Sequence, residues 1–133
     1  LLSEDKRHLH FEIVRTDSLN IAFGGTSSNP VSGKFPDLPL YRADGSANDT
    51  MVAAFAAISG KTVNIADAYT AKGFDFSGTR SFDERTGYRS QSFLTVPLKN
   101  HENEIIGVLQ LINALDQGTG QVTVFSPSDQ RLA

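Results

Sequence analysis

No cysteine occurs in the 133 residues. Disulfides, thiol catalysis, iron–sulfur clusters and covalent bilin attachment through a thioether are therefore excluded. Charge of one sign is also lacking: 12 Lys and Arg stand against 15 Asp and Glu, a net charge of −3 with the signs interspersed. That argues against a nucleic-acid partner, which would select clustered Lys and Arg. No apolar run approaches the ~20 residues of a membrane-spanning helix. The N-terminus also lacks the charged, apolar, small-residue order of a signal peptide. No membrane insertion by this domain is expected, and a cytoplasmic location is read from the same absences. No Gly-x-Ser-x-Gly nucleophile elbow is present, and Asp83-Glu84 is a poor acid–base pair because neighbours on the chain point apart. Gly24-Gly25-Thr26-Ser27-Ser28 lacks the Gly-Lys-Ser/Thr ending of a P-loop and reads as a pocket rim. Three histidines remain. His8 and His10 share a strand face with no Cys or carboxylate partner in the pattern and His101 lies in a turn, so exposed residues are expected there, not metal ligands. An enzyme is not expected.

What is present centres on Ser92 to Asn113. Leu94, Val96 and Leu98 alternate with Phe93, Thr95 and Pro97, then Asn100-His101-Glu102-Asn103 supplies turn chemistry. Ile105 to Ile112 follows, apolar on nearly both faces, which predicts a strand buried on both. The length suits one domain with a real core. His8 to Arg15 reads as a half-buried strand with Leu9, Phe11 and Ile13 inward, hairpinned to Leu1-Leu2 through Ser3–Lys6. Asn20 to Phe23 reads as a further short strand. Gly24 to Ala47, with Pro30, Pro36 and Pro39, reads as a long irregular segment of the kind that carries function.

The spacing of Met51, Val52, Phe55 and Ile58 predicts a helix over 48–59, capped by Asn48 or Ser46, favoured by Asp49 and stopped by Gly60. Capping also accounts for the Asn48-Asp49-Thr50 sequon. Ala53, Ala54, Ala56 and Ala57 would let this helix approach a sheet closely. Thr62–Ile65 reads as a short strand. Asp67 to Arg89 reads as a second irregular segment whose aromatics, Tyr69, Phe74, Phe76, Phe82 and Tyr88, suit a pocket or its lid. Ser126, Pro127 and Asp129 form a capping box that opens a final helix. The missing initiator Met and the short final helix predict a single domain, truncated at both ends and excised from a larger multidomain signalling protein. The element order gives an α+β sandwich around an antiparallel sheet.

The blocks Gly60–Tyr69, Thr86–Ser92, Val96-Pro97-Leu98 and Glu104–Asn113 resemble GAF domains, closest in type to those of cyclic-nucleotide phosphodiesterases, bacterial adenylyl cyclases and bacterial HD-GYP phosphohydrolases. The resemblance covers nearly the whole chain. It implies a GAF-like (PAS-like) central antiparallel sheet with helices on one face and a loop-covered ligand pocket on the other. It also implies a non-catalytic regulator that takes a small molecule, a cyclic nucleotide or another metabolite. Such a domain would form a homodimer through flanking helices and control a fused phosphodiesterase, HD-GYP phosphohydrolase, cyclase or kinase. A ligand-free dimerisation module with a degenerate pocket is the alternative.

By the same resemblance the ligand contacts fall on Phe23, Ile65, Ala66, Asp67, Tyr69, Phe76, Thr79, Asp83, Thr86 and Tyr88. The polar groups would hydrogen-bond the ligand, with Phe76 and Tyr88 stacking on it; otherwise the aromatics plug the space and the polar groups cap turns. Cyclic-nucleotide-binding members carry an Asn-Lys…Phe-x3-Asp-Glu signature. Asn113, Phe125 and Asp129 match it, whereas Ala114 stands at its Lys and Gln130 at its Glu. Arg80, Arg85 and Arg89 have spacing compatible with holding a phosphate or carboxylate. With Asp83 and Glu84 among them, they read as a solvated mixed-charge segment.

Overall fold

Residues 93–112 build the scaffold in the computed structural model, which describes residues 1–16, 21–24, 37–116 and 118–132. Strand β6 (Phe93–Lys99) pairs antiparallel with β7 (Ile105–Ile112) from Phe93↔Ile112 to Leu98↔Gly107, with a register shift at Leu98/Lys99. The turn uses the expected chemistry. Asn100 Oδ1 accepts the N–H groups of Glu102 at 2.9 Å and Glu104 at 3.0 Å, and Asn103 takes φ 64°. Strand β5 (Val63–Ile65) joins the other edge of β6, giving an antiparallel order β5-β6-β7.

Two-sided burial holds for β6 and fails for β7. Phe93, Leu94 and Thr95 point alternately to opposite faces and are all buried. On β7, Ile106, Leu109, Leu111 and Ile112 are between 36% and 43% exposed. The physical reason is position: β6 is flanked by strands on both sides, while β7 is one of the two edges of this sheet among the described residues.

Helix α1 (Val52–Ser59) lies against the sheet through its alanines. Ala54 and Ala56 are completely buried and Ala57 nearly so, while Ile58 is 36% exposed. The buried face thus combines Val52, from the large apolar set, with small residues. The helix also starts later than its sequence signals suggest, with Met51 at the N-cap and no side-chain cap. Asn48 is used elsewhere: its Nδ2 donates to the Pro39 carbonyl at 2.9 Å and its N–H to Leu40 at 2.8 Å. Asp49 lies 3.6 Å from Arg42. Gly60 ends the helix at φ 71° as expected, returning its N–H to Ala56.

The expected N-terminal strand is split. Strand β1 (His8–Leu9) pairs with β4 (Leu38–Pro39), which lies inside the segment read as irregular. Strand β2 (Ile13–Thr16) pairs with β3 (Ile21–Gly24). Between them Phe11 is 42% exposed, whereas Leu9 is buried. Leu2 bridges Leu9 as the hairpin reading requires, and the Leu2 N–H also reaches the Ile106 carbonyl at 2.9 Å. The proposed rim residues Gly25–Ser28, with Pro30 and Pro36, lie outside the described residues.

The largest departure is helix α2 (Ser77–Thr86), formed where an irregular segment is expected. The Asp75 carboxylate accepts the Ser77 N–H at 2.9 Å, Arg85 occupies the last turn, and Gly87 closes the helix at φ 72°. Beyond Asn113, β8 (Ala114–Leu115) pairs with β9 (Val122–Thr123). Helix α3 (Pro127–Leu132) opens with the expected reciprocal cap: the Ser126 N–H donates to Asp129 Oδ2 at 2.7 Å and the Asp129 N–H to Ser126 Oγ at 3.1 Å. No helix among the described residues is long and apolar enough to cross a membrane.

Candidate ligand-binding site

Of the residues expected to contact a ligand, all but Phe23 lie on the end of β5, the following loop, α2 and the residues just after it. Among them is Asp83, 5% exposed and the one buried residue of α2. Its carboxylate accepts hydrogen bonds from the Tyr69 hydroxyl, the Ser90 N–H at 2.8 Å and the Ser90 hydroxyl at 2.7 Å. A buried carboxylate is costly unless its lone pairs are filled, and three donors from two other segments fill them. Asp83 thus ties α2 to the loop after β5 and to the lead into β6.

The hydrogen bond to Asp83 raises the Tyr69 phenol above its ordinary value. Burial and the Asp83 charge act in the same direction, and Arg89 and Arg80 oppose them. The guanidinium carbon of Arg89 stands 4.1 Å from the centre of the Tyr69 ring and that of Arg80 stands 5.8 Å from it. Arg80, Glu84, Arg85 and Arg89 are all exposed, as a solvated mixed-charge segment requires, while two of the three arginines also lie against one ring. Arg85 does not, its Nε lying 3.4 Å from the Ser81 carbonyl in its own helix.

Asp67 shapes the loop locally, with its carboxylate accepting the Tyr69 N–H at 2.9 Å and its carbonyl accepting the Ala71 N–H. Ala68 is buried and its N–H meets the Gln91 carbonyl at 2.7 Å, while Ala66 is exposed. Ile65 is half-buried against the cluster of Val52, Ala68, Phe76 and Phe93. Phe76 is 6% exposed, its ring 5.5 Å from Phe93 and 6.5 Å from Phe74, which in turn meets Phe55 edge-on at 5.5 Å. Thr79 and Tyr88 are half-buried. The Thr86 hydroxyl donates to the Phe82 carbonyl at 2.8 Å, closing the helix. The backbone of Phe23 pairs with Val14, and its side chain lies outside what is described.

Asn113 does more than begin a signature. At φ 62°, its Oδ1 accepts the N–H groups of Gln91 at 2.7 Å and Ser92 at 3.2 Å, and its Nδ2 donates to the Arg89 carbonyl at 2.8 Å. It clasps the end of β7 to the segment carrying Arg89 and Ser90. Ala114, at the signature's Lys position, gives its N–H to the Ser92 hydroxyl at 3.1 Å. Phe125 is buried, and its carbonyl receives Asn64 Nδ2 at 2.8 Å.

Sequence reasoning passed over Ser90, and it weighed Arg80 and Arg89 as anion holders without a sign that they share the Tyr69 ring. The strand pattern gives no hint of a buried hydroxyl at Ser90. No group of three or more metal-ligating side chains occurs among the described residues. His10 Nδ1 lies 2.5 Å from Asp37 Oδ1, so this histidine has the carboxylate neighbour that the local pattern did not supply. A separate shallow cleft of about 240 Å³ is lined by Leu2, Ser3, Glu4, Lys6, Glu104, Ile105 and Ile106, none of them an expected contact.

Comparison with known proteins agrees with this architecture. A family model described as the GAF domain matches residues 25–133. A dual 3',5'-cyclic-AMP and -GMP phosphodiesterase 11A from Takifugu rubripes is 37% identical over 78 residues. That alignment covers 59% of this chain and 8% of the phosphodiesterase, so the chain spans a small part of that relative's length. The chain belongs to the GAF domain family.

Proposed function

We propose that this chain is a non-catalytic sensory domain that binds a small molecule and allosterically controls a fused signalling output. The family match over residues 25–133 carries the reading. The ligand lies against the wall of Ile65, Ala66, Asp67, Tyr69, Phe76, Thr79, Asp83, Thr86 and Tyr88, with Phe23 contributing from β3. A cyclic nucleotide is the first ligand class to test, because the phosphodiesterase relative is named for acting on cyclic AMP and cyclic GMP. The output is a phosphodiesterase, an HD-GYP phosphohydrolase, a cyclase or a kinase, coupled by the ligand's different affinity for two states of the whole protein. Thermal-shift screening against cyclic nucleotides and other metabolites tests this. A saturable rise in melting temperature supports it, and uniform absence of any shift across the set contradicts it.

A second reading is favoured by a specific observation. Phe74, Phe76 and Phe93 fill space beside the wall with their own rings, and Ala114 and Gln130 depart from the nucleotide-binding signature. On that reading the domain serves as a homodimerisation module with a degenerate pocket. Analytical ultracentrifugation of a longer chain bearing both flanking helices decides it, since a strict monomer removes this alternative.

A further inference from the structure

We propose that Arg80 and Arg89, gathered on the Tyr69 ring, form a recognition site for a phosphate-bearing small molecule. The proposal extends the ligand-binding reading above and rests on it for its biological purpose. The two arginines come from different segments, the first turns of α2 and the lead into β6, yet both guanidinium carbons lie within 5.8 Å of one ring centre. That ring is a fixed platform, because its hydroxyl is held by buried Asp83, which Ser90 also holds.

Neither guanidinium has a carboxylate within 4 Å among the described residues. Asp83 is turned inward and filled by three donors. Glu84 follows Arg80 at the helical spacing from which such pairs close, and the pair is not formed. Both arginines are exposed, and the charge of Arg80 also reaches Asp75, whose carboxylate is already engaged by the Ser77 N–H. Stacking on an aromatic face holds a guanidinium in place while leaving its fork free to donate. One carboxylate offers two oxygens and is saturated by one fork, whereas a terminal phosphate offers three oxygens and up to two charges, which suits two forks.

Isothermal titration of the full chain with inorganic pyrophosphate tests this, with tricarballylate as the carboxylate arm. The Arg80→Gln/Arg89→Gln double variant is compared with Arg85→Gln, a change of equal charge outside the cluster. Saturable pyrophosphate binding is expected in the parent chain, about tenfold or more weaker in the double variant and unchanged in Arg85→Gln. Tricarballylate is expected to bind more weakly, and added salt to weaken both. No saturable pyrophosphate binding by the parent chain would overturn the proposal. So would equal losses in both variants, undiminished binding in the folded double variant, or tricarballylate binding as tightly. Cyclic AMP and cyclic GMP are titrated separately. Pyrophosphate binding without theirs upholds the anion site and counts against the nucleotide reading. Their binding unaffected by the double variant, with none of pyrophosphate, does the reverse.

Discussion

Asn113 occupies a left-handed backbone conformation and fills three backbone partners with one side chain, so its replacement separates two effects. Asn113→Ala loses the bonds and places a Cβ-bearing residue without a compensating side chain at positive φ, at a cost of about 2–4 kcal/mol. Asn113→Gly loses the same bonds without the backbone strain and should be about 1 kcal/mol less costly. Urea unfolding midpoints measure both, and equal losses would show that the strain contributes nothing. Tyr69 offers a pH test with a definite sign. Its phenol is raised above 10.0 chiefly because the hydroxyl donates to Asp83. The stabilisation is therefore fully present below about pH 10 and is lost as pH rises through the higher folded value. Of the chain's 3 tyrosines, one should titrate late when phenolate absorbance is followed, and Tyr69→Phe should abolish that late step. At the acid end, Asp5, Asp44, Asp75 and Asp116 are held below 3.8, the first three mainly by serine hydroxyls and Asp116 mainly by the Thr119 N–H. Their contributions are present above pH 3.8 and fall away below it.

Elements differ in how far local sequence determines them. The β6–β7 hairpin was legible because alternation and an Asn-bounded turn agree on one register, and the α3 cap was legible because Ser126 and Asp129 need no distant partner. Helix α2 was not: Gly78 and its serine and threonine neighbours lower helical propensity, and Phe82 alone supplies an apolar signal. What holds that helix is a buried polar tie through Asp83, formed with residues distant along the chain. The late start of α1 has a similar cause, since Asn48 is spent on β4 and not on a cap. Gly107 gives an element-scale test. A Cβ there would stand 2.9 Å from Leu1 Cδ2 and 3.2 Å from Leu1 Cα, so the N-terminal segment crosses β7 at a point that admits no side chain. Gly107→Ala should displace residues 1–10 while leaving β6–β7 intact. Amide exchange would show this as faster exchange at Leu2 and His10, with the Leu94–Val96 amides unchanged.

For the molecule as a whole, the family and the antiparallel core were readable from ordered blocks of sequence, while the polar tie around Asp83 was not. The family resemblance grouped Tyr69, Asp83 and Thr86, yet gave no sign that Asp83 points inward to three protein donors. It likewise gave no sign that Arg80 and Arg89 converge on one ring, which requires α2 to exist. The apolar residues Ile106, Leu109, Leu111 and Ile112 of β7 remain exposed, and among the described residues no second strand flanks β7 in its sheet. The central claim is that a small molecule binds against the wall between β5 and β6. Its most direct test is a two-dimensional amide NMR titration with cyclic AMP, cyclic GMP and a metabolite set. The account predicts saturable shifts concentrated between Ile65 and Tyr88, with the Asn100–Glu104 turn unmoved. No saturable shift with any compound, or shifts confined to Leu2–Lys6 and Glu104–Ile106, would contradict it.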